Sequence, residues 1–163
     1  MITRITAGAF LTYGNKILLM KHGLHKELRA GLWAGIGGHL NITDIKNPRA
    51  LDFSETCYRE VQEETGIKKF EIHNLKLKYI TVRKDNNEIR VHHHYFGELK
   101  SEVPLPKCVE GELFWKDKND IFNLPMSTSV KEAVKHWFFN PKSNSVFLVA
   151  VCPENNAAII SEV

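Results

Sequence analysis

The alternation of apolar and polar residues predicts a β-hairpin near the start of the chain. Residues 4–13 mix β-branched, aromatic and small side chains, and residues 16–20 form a second short apolar run. Gly14 and Asn15, which separate the two runs, are typical turn residues. Residues 22–33 have no clear period and residues 39–50 are mainly polar, so we expect loops there.

Residues 53–65 carry the strongest helical pattern of the chain. With about 100° of rotation per residue, one face of this helix is apolar. That face consists of Phe53, Cys57 and Val61. Asp52 is a suitable N-cap, Glu55 completes a capping-box pattern, and Gly66 stands where a glycine commonly ends a helix.

The rest of the chain alternates between strand-like and helix-like segments. The predicted strands are residues 68–82, 88–99, 109–116 and 145–151, with a weaker one at 157–160, and a turn at 84–87 joins the first two. A second helix is expected from Ser127 or Thr128 to about residue 139. Because no internal repeat or linker interrupts this pattern, we expect a single mixed α/β domain over residues 1–163.

Composition narrows the class of protein. The 163 residues are 43% hydrophobic with a formal charge of +3, which is atypical of disordered chains and of strongly basic nucleic-acid-binding domains. Cys57, Cys108 and Cys152 lie far apart and form no CxxC pair, so neither a disulfide framework nor a zinc knuckle is indicated. The longest apolar run, residues 146–152, is shorter than the roughly 20 residues of a membrane span. No signal-peptide core is evident, so we expect a cytoplasmic protein without a nucleic-acid polymer or a membrane as partner.

The charge is unevenly distributed along the sequence. Seven Lys and Arg against two acids give residues 1–51 a charge of +5, whereas one Arg against five acids gives residues 52–66 a charge of −4. Fourteen basic against twelve acidic residues leave +2 for the remainder. The acidic segment coincides with the predicted helix.

The acidic side chains of this helix border its apolar face. Glu60 forms like-charge pairs with Glu63 and Glu64, each of which costs about 0.2–0.5 kcal/mol even in water. Arg59 can reach Glu63 but is poorly placed for Glu64. A bound divalent cation would offset the repulsion, and oxygen-only ligands favour Mg²⁺, with Mn²⁺ as a second option. A solvated acidic face with one Arg–Glu pair is the alternative.

Residues 59–67 read Arg-Glu-Val-Gln-Glu-Glu-Thr-Gly-Ile and resemble the second half of the Nudix box. Gly37 and Gly38 resemble the glycine pair that opens the box in MutT-like members. The first half departs from the motif, because Asp44 replaces a Glu and fourteen residues separate it from Arg59. Asp44 is the first candidate for the role of that Glu, ahead of Asp52 and Glu55.

The resemblance implies a Nudix α/β/α sandwich with a mixed sheet and Mg²⁺-dependent hydrolysis of a nucleoside diphosphate-linked substrate. By this resemblance Glu60, Glu63 and Glu64 bind the metal, and Arg59 orients a glutamate. Glu63 is the first choice for the general base. Glu110 and Glu112 are the alternatives from a later loop.

The resemblance also implies a substrate site. Backbone at Gly37 and Gly38 would approach the phosphates, with a simple bend as the alternative, and Lys21 and Arg29 would bind the phosphate tail unless they are merely solvated. Trp115 and Asp117 would read a nucleobase, with core packing as the alternative for Trp115. Three consecutive histidines, residues 92–94, alternate between strand faces, so we expect no shared metal and one face lining the cleft.

A (d)NTP pyrophosphohydrolase of the MutT or 8-oxo-dGTP diphosphatase type is the leading function that the resemblance implies. Hydrolysis of ADP-ribose or a dinucleoside polyphosphate is the first alternative. A degenerate Nudix domain that binds a nucleotide without hydrolysing it is the second. The last 20 residues are candidates for a homodimer contact or an extra edge hairpin.

Overall fold

One mixed β-sheet dominates the fold. The computed structural model describes residues 1–25, 29–46, 52–85, 87–152 and 154–163. Within these ranges nine strands form the sheet: β1 (Ile2–Tyr13), β2 (Lys16–His22), β3 (Trp33–Ala34), β4 (Ile36–His39), β5 (Ile72–Asp85), β6 (Glu88–Leu99), β7 (Gly111–Asp117), β8 (Phe147–Val151) and β9 (Ala158–Glu162). The helices are α1 (Ser54–Thr65) and α2 (Thr128–Phe139), and 3₁₀ turns cover Ile42–Asp44, Lys69–Glu71 and Lys118–Asn123.

The sheet combines parallel and antiparallel pairs. Its strand order is β3-β2-β1-β6-β5-β8-β9, with β4 paired to β1 and β7 paired to β2. The β1–β6 and β5–β8 pairs are parallel, and the other pairs are antiparallel. The predicted α/β class with a mixed sheet is therefore confirmed, as is the hairpin across Gly14 and Asn15.

Alternation along the strands creates a core on each face of the sheet. Leu11 packs with Cys57 and Val61 beneath α1, whereas its neighbour Phe10 packs with Val134 beneath α2. All five side chains are almost completely buried. Each helix thus covers one face of the sheet, as the sandwich prediction requires. Neither helix in the described ranges has the length and apolar character needed to cross a membrane.

The start of α1 differs from the prediction. The helix begins at Ser54, Phe53 occupies the N-cap position, and Glu55 pairs with Lys69, so the predicted capping box is wrong. Asp52 instead accepts a hydrogen bond from the Ser54 amide at 3.0 Å. A tyrosine of β6 supplies the missing cap, because the Tyr95 hydroxyl accepts from the Phe53 amide at 2.9 Å and donates to Asp52 at 3.1 Å.

The C-terminal end of α1 follows the prediction. Gly66 has φ of 77°, a left-handed conformation that favours glycine, and its amide donates to the Gln62 carbonyl at 3.0 Å.

Strand β5 begins later than expected, since residues 69–71 form a 3₁₀ turn. A further 3₁₀ turn at 42–44 interrupts the predicted polar loop. Parts of the predicted loops and of the 84–87 turn, namely residues 26–28, 47–51 and 86, lie outside the described residues.

We predict that Tyr95→Phe lowers the free energy of unfolding by about 1–3 kcal/mol, because the buried Phe53 amide loses its acceptor. Urea denaturation of the purified protein measures the change. Tyr13→Phe is the matched control, since Tyr13 is exposed at the end of β1. Equal stability of the two variants would contradict the assigned role of Tyr95.

Candidate active site

A cleft of about 1360 Å³ brings the acidic helix together with one face of the sheet. Side chains of α1 line one side, and residues from β1, β4, β5 and β6 line the other. The segment before β7 and the start of α2 complete the wall. The volume exceeds the roughly 300–1,000 Å³ typical of small-molecule sites, so a complete nucleotide fits.

Asp44 connects the loop after β4 to α1 through hydrogen bonds. The buried carboxylate accepts hydrogen bonds from Arg59 Nε at 3.2 Å and Arg59 Nη2 at 3.0 Å, and from the Thr56 hydroxyl at 3.0 Å. The Asn41 amide donates to the same carboxylate at 3.2 Å. These donors, with Arg59 foremost, lower the pKa of Asp44 despite its burial. Asp44 therefore remains ionised and orients Arg59.

Arg59 extends this support to the glutamates. Its Nη1 donates to Glu60 at 2.8 Å and to Glu63 at 3.2 Å, and its Nη2 donates to the His39 carbonyl at 3.0 Å. The expected pairing of Arg59 with Glu63 is thus confirmed. The half-buried Glu60 has a raised pKa, because desolvation outweighs the favourable contacts with Arg59.

Glu64 lies in a different environment on the cleft wall. Its Oε2 is buried and has no hydrogen-bond partner among the described residues, although the Gly37 amide bonds to the carboxylate. Burial, followed by the charges of Glu60 and Glu110, raises the pKa of Glu64 to about 8. An unpartnered carboxylate oxygen beside other carboxylates fits a hard divalent cation.

The three candidate ligands do not converge on a single point in this conformation. Within the described ranges, no group of three or more His, Cys, Asp or Glu side chains surrounds a common ion position. Arg59 Nη1 instead bridges Glu60 and Glu63. Coordination of a single ion by all three glutamates therefore requires a rearrangement of their side chains.

Gly37 and Gly38 allow β4 to approach both β1 and α1 closely. Gly37 is in register with Gly8 of β1, and a Cβ on Gly37 would lie 2.4 Å from the Gly8 Cα. A Cβ on Gly38 would lie 2.4 Å from Oε1 of Glu60. Glycine at both positions thus keeps the backbone against the carboxylates, and both residues line the cleft.

Of the four side chains predicted to bind the substrate, only Arg29 lines the cleft within the described residues. Lys21, Trp115 and Asp117 lie elsewhere, because β7 pairs with β2 and so stands away from the face formed by β1, β6 and β5. Trp115 packs against the core beneath α1 and donates to the Val103 carbonyl at 3.1 Å. Core packing, the alternative for Trp115, matches this position.

Asp117 and Lys21 also have positions outside the cleft. Asp117 is exposed and accepts from the Asn119 amide at 2.8 Å, which caps the 3₁₀ turn that follows β7. Lys21 is exposed on β2, in register with Trp33 and Glu112. These positions do not support the substrate-binding roles predicted for either residue.

The consecutive histidines follow the strand alternation. The rings of His92 and His94 lie 4.2 Å apart on the cleft side, whereas His93 contacts Phe53 beneath α1 at 4.7 Å. His92 Nδ1 hydrogen-bonds Thr6 at 2.5 Å, and burial lowers the pKa of His94 to about 3. Both cleft histidines are therefore neutral at physiological pH.

Comparison with known proteins gives one family and one fold. A family model described as the NUDIX domain matches residues 2–142. No curated protein sequence gives a significant match. Similar structures include a MutT protein from Bacillus halodurans, with a TM-score of 0.67, 23% identity and 97% of both chains covered.

Two further structures share the fold. A MutT NUDIX hydrolase from Burkholderia pseudomallei has a TM-score of 0.62 and 23% identity, covering 83% of this chain and 98% of that one. The NUDIX domain of Shewanella oneidensis NrtR, solved with ADP ribose, has a TM-score of 0.65 and 18% identity, covering 87% and 90%. At these identities the likeness establishes the fold alone.

We predict that Glu64→Gln stabilises the metal-free protein increasingly as the pH rises from about 4.3 towards 8. A raised pKa means that the folded state holds the Glu64 proton more tightly than the unfolded state does. The stability that this more tightly held proton contributes is complete below the unfolded pKa of Glu64. It is lost as the pH rises towards the folded pKa. Gln does not titrate and avoids the loss.

Urea denaturation in EDTA at pH 5, 7 and 8.5 tests this pH dependence. Glu63→Gln is the matched control, because the Glu63 side chain is 59% exposed. A stability difference between Glu64→Gln and the parent protein that did not grow with pH would contradict the buried, unpaired state of Glu64.

Proposed function

Because the chain belongs to the Nudix domain family, a family of pyrophosphohydrolases, we propose that it hydrolyses a nucleoside diphosphate-linked substrate with Mg²⁺ as its cofactor. A (d)NTP is the first candidate substrate, as in enzymes of the MutT or 8-oxo-dGTP diphosphatase type. The observation that supports this proposal is the half-buried Glu64, whose Oε2 has no hydrogen-bond partner among the described residues and lies beside Glu60 in a cleft large enough for a nucleotide.

Glu60, Glu63 and Glu64 would hold the divalent ion. When bound, Mg²⁺ neutralises phosphate oxygens and lowers the pKa of a water molecule. Mn²⁺ has the same preference for oxygen ligands and serves as an alternative. Glu64 is the strongest candidate ligand, since its burial is unfavourable without a cation.

The remaining residues position the reacting groups. The absence of side chains at Gly37 and Gly38 lets the β4 backbone pack against β1 and the Glu60 carboxylate, at the edge of the cleft where the phosphates would bind. Arg59, held by Asp44, fixes the carboxylate of Glu60 by a charge-assisted hydrogen bond. These contacts keep Arg59 and Glu60 at the cleft, where a side-chain rearrangement would bring the glutamates together on the ion; positioned charges of this kind stabilise the transition state of phosphoryl transfer.

Glu63 remains our first choice for the general base. Glu63 lines the cleft and is largely exposed, and its Oε2 lies 3.2 Å from Arg59 Nη1. A water molecule in the cleft could therefore reach its carboxylate and donate a proton to it. Glu110 is the alternative, since it lines the cleft and raises the pKa of Glu64. Glu112 does not line the cleft and is a weaker candidate.

ADP-ribose is the second candidate substrate, and a specific observation favours it: the structurally similar NUDIX domain of Shewanella oneidensis NrtR was solved with ADP ribose. A dinucleoside polyphosphate belongs to the same class of diphosphate-linked compounds. The ion pair between Asp44 and Arg59 argues against a degenerate binding domain, because it supports the glutamates despite the altered first half of the motif.

The free thiols of Cys57, Cys108 and Cys152 support the proposed cytoplasmic location.

We predict Mg²⁺-dependent turnover of at least one compound in a panel of dNTPs, 8-oxo-dGTP, ADP-ribose and diadenosine polyphosphates. A dNTP would give the nucleoside monophosphate and pyrophosphate, measured by chromatography. Glu64→Gln should lower kcat by about 100-fold or more, since even outer-shell changes at metal sites cost about 10–100-fold. Glu102→Gln is the matched control and should retain the parent rate, because Glu102 is exposed and does not line the cleft.

The outcomes separate the candidate functions. Preferential hydrolysis of ADP-ribose would select the second substrate. An absence of turnover of every compound with either Mg²⁺ or Mn²⁺ would contradict the proposed hydrolase activity. A near-normal rate for Glu64→Gln would show that Glu64 is not an essential ligand.

A further inference from the structure

Strands β6, β5, β8 and β9 share an apolar sheet face. Val91 is in register with Val82, Val82 with Ala150, and Ala150 with Ile159. Side chains in register on adjacent strands project from the same face of a sheet, and so do residues two positions apart along one strand. We refer to seven residues of this face together as the open face: Ile80, Val82, Ile89, Val91, Leu148, Ala150 and Ile159.

The open face is on the side of the sheet opposite to the cleft. Thr81, which separates Ile80 from Val82 in β5, lines the cleft, and so does His92 beside Val91. Successive side chains of a strand point to opposite faces of the sheet. A molecule bound to the open face would therefore leave the cleft accessible.

Within the described residues, the open face is not part of either hydrophobic core. None of its seven side chains belongs to the core beneath α1 or to the core beneath α2. Six of them are half-buried, and Ile159 is 68% exposed. Because apolar surface in contact with water is unfavourable, the open face favours contact with another apolar surface.

The composition of β8 also indicates burial on both sides of the sheet. All five residues of this strand, 147–151, are apolar, which is the pattern of a strand with both faces covered. Val149 packs beneath α2. Leu148 and Ala150 instead belong to the open face, so half of this apolar strand has no core partner among the described residues.

The size of the open face matches the centre of a weak protein–protein interface. Each position on one face of a sheet occupies about 4.8 Å by 6.6 Å, so the seven residues cover roughly 220 Å² in projection. A standard interface buries about 800 Å² per partner, as an apolar centre within a polar rim. The open face supplies the apolar centre, and the small area predicts concentration-dependent association.

The charges beside the open face are balanced. The pKa of Glu154 is lowered by a hydrogen bond from Cys152 and also by the positive charge of Lys84, which therefore lies near it. Lys84 is in register with Ile89 of the open face. A rim with one charge of each sign does not attract a polyanion such as nucleic acid or an acidic membrane surface. It also presents no net charge that would repel an identical surface.

A second copy of the chain also matches the open face in shape. Two sheets stack with their strand directions within about 30° of each other, because both sheets twist in the same sense. A two-fold axis brings the same patch of both copies together, and this arrangement is the commonest in soluble oligomers. An identical sheet face is thus a suitable partner in both twist and charge.

We propose that the chain forms a weak homodimer in which the open faces of two copies pack against each other. The inference goes beyond the proposed hydrolase activity and does not depend on it, since the cleft lies on the opposite face. Strands β8 and β9, which form a hairpin at the edge of the sheet within the last 20 residues, provide part of the contact.

Sedimentation velocity of the purified protein measures the association without metal or substrate. We expect the mass of one chain at about 1 μM and a shift towards the mass of two chains at about 200 μM, as for a dissociation constant in the micromolar range. Circular dichroism verifies that each variant described below is folded.

Variants on two different strands assign the contact to the open face. Ile159→Lys in β9 and Val82→Lys in β5 should each weaken dimerisation by about 100-fold or more, because an unpaired charge would be buried. Val82→Thr keeps the shape of Val82 and should weaken dimerisation by about 10-fold with less risk to folding. Phe139→Lys is the matched control, since Phe139 is 67% exposed at the end of α2, and it should dimerise like the parent.

Three results would overturn the inference. The first is the mass of a single chain for the parent protein up to about 200 μM. The second is dimerisation that a folded Val82 variant retains in full, which would limit the contact to the edge strand or place it elsewhere. The third is an equal loss of dimerisation in Phe139→Lys, which would place the contact at α2.

Discussion

The ion pair between Asp44 and Arg59 is the interaction on which the geometry of the site depends. It joins the loop after β4 to α1, and the same guanidinium then reaches Glu60 and Glu63. Loss of one partner of a fully buried pair costs about 3–5 kcal/mol, because the other charge is left unpaired. We expect a smaller cost here, because Asp44 is buried but Arg59 is partly exposed. Because the pKa of Asp44 is lowered in the folded state, the pair contributes its full stability at pH values above the unfolded pKa of about 3.9. This contribution is lost as the pH falls through the folded pKa.

Glu64 is the part of the cleft whose charge the contacts among the described residues do not fully compensate. Its carboxylate is half-buried, and its Oε2 has no hydrogen-bond partner in the part of the chain that the structure describes. This arrangement lowers the stability of the unliganded fold. Such local conflicts are expected at functional sites, where a ligand completes the interactions.

The sequence predicted those parts of the site that depend on local spacing. The helical period placed Glu60 and Glu64 beside the apolar face, and the strand period placed His92 and His94 on the opposite side from His93. The sequence left open which acidic residue takes the role of the Glu in the first half of the Nudix box, because the loop between Asp44 and Arg59 is longer than the motif allows. Only the folded chain shows Asp44 against Arg59.

The remaining site residues depend on strand pairing across long sequence separations. The pairing of β7 with β2 moves Trp115 and Asp117 away from the cleft, which a local motif does not reveal. Arg4 and Arg83 are far from Arg90 in sequence and become neighbours only through the register of β1, β6 and β5. The Tyr95 cap of α1 likewise joins distant segments, so the capping box inferred from neighbouring residues was wrong.

The affinity for Mn²⁺, measured by electron paramagnetic resonance, tests the central role of the Asp44–Arg59 pair most directly. We expect Asp44→Asn and Arg59→Gln each to weaken Mn²⁺ binding by about 10–100-fold, as is typical when a residue that orients metal ligands is lost. The double variant should bind no more weakly than the worse single variant, because both changes disrupt one unit. Circular dichroism verifies that each variant is folded. Unchanged Mn²⁺ affinity in folded Asp44→Asn would contradict the account.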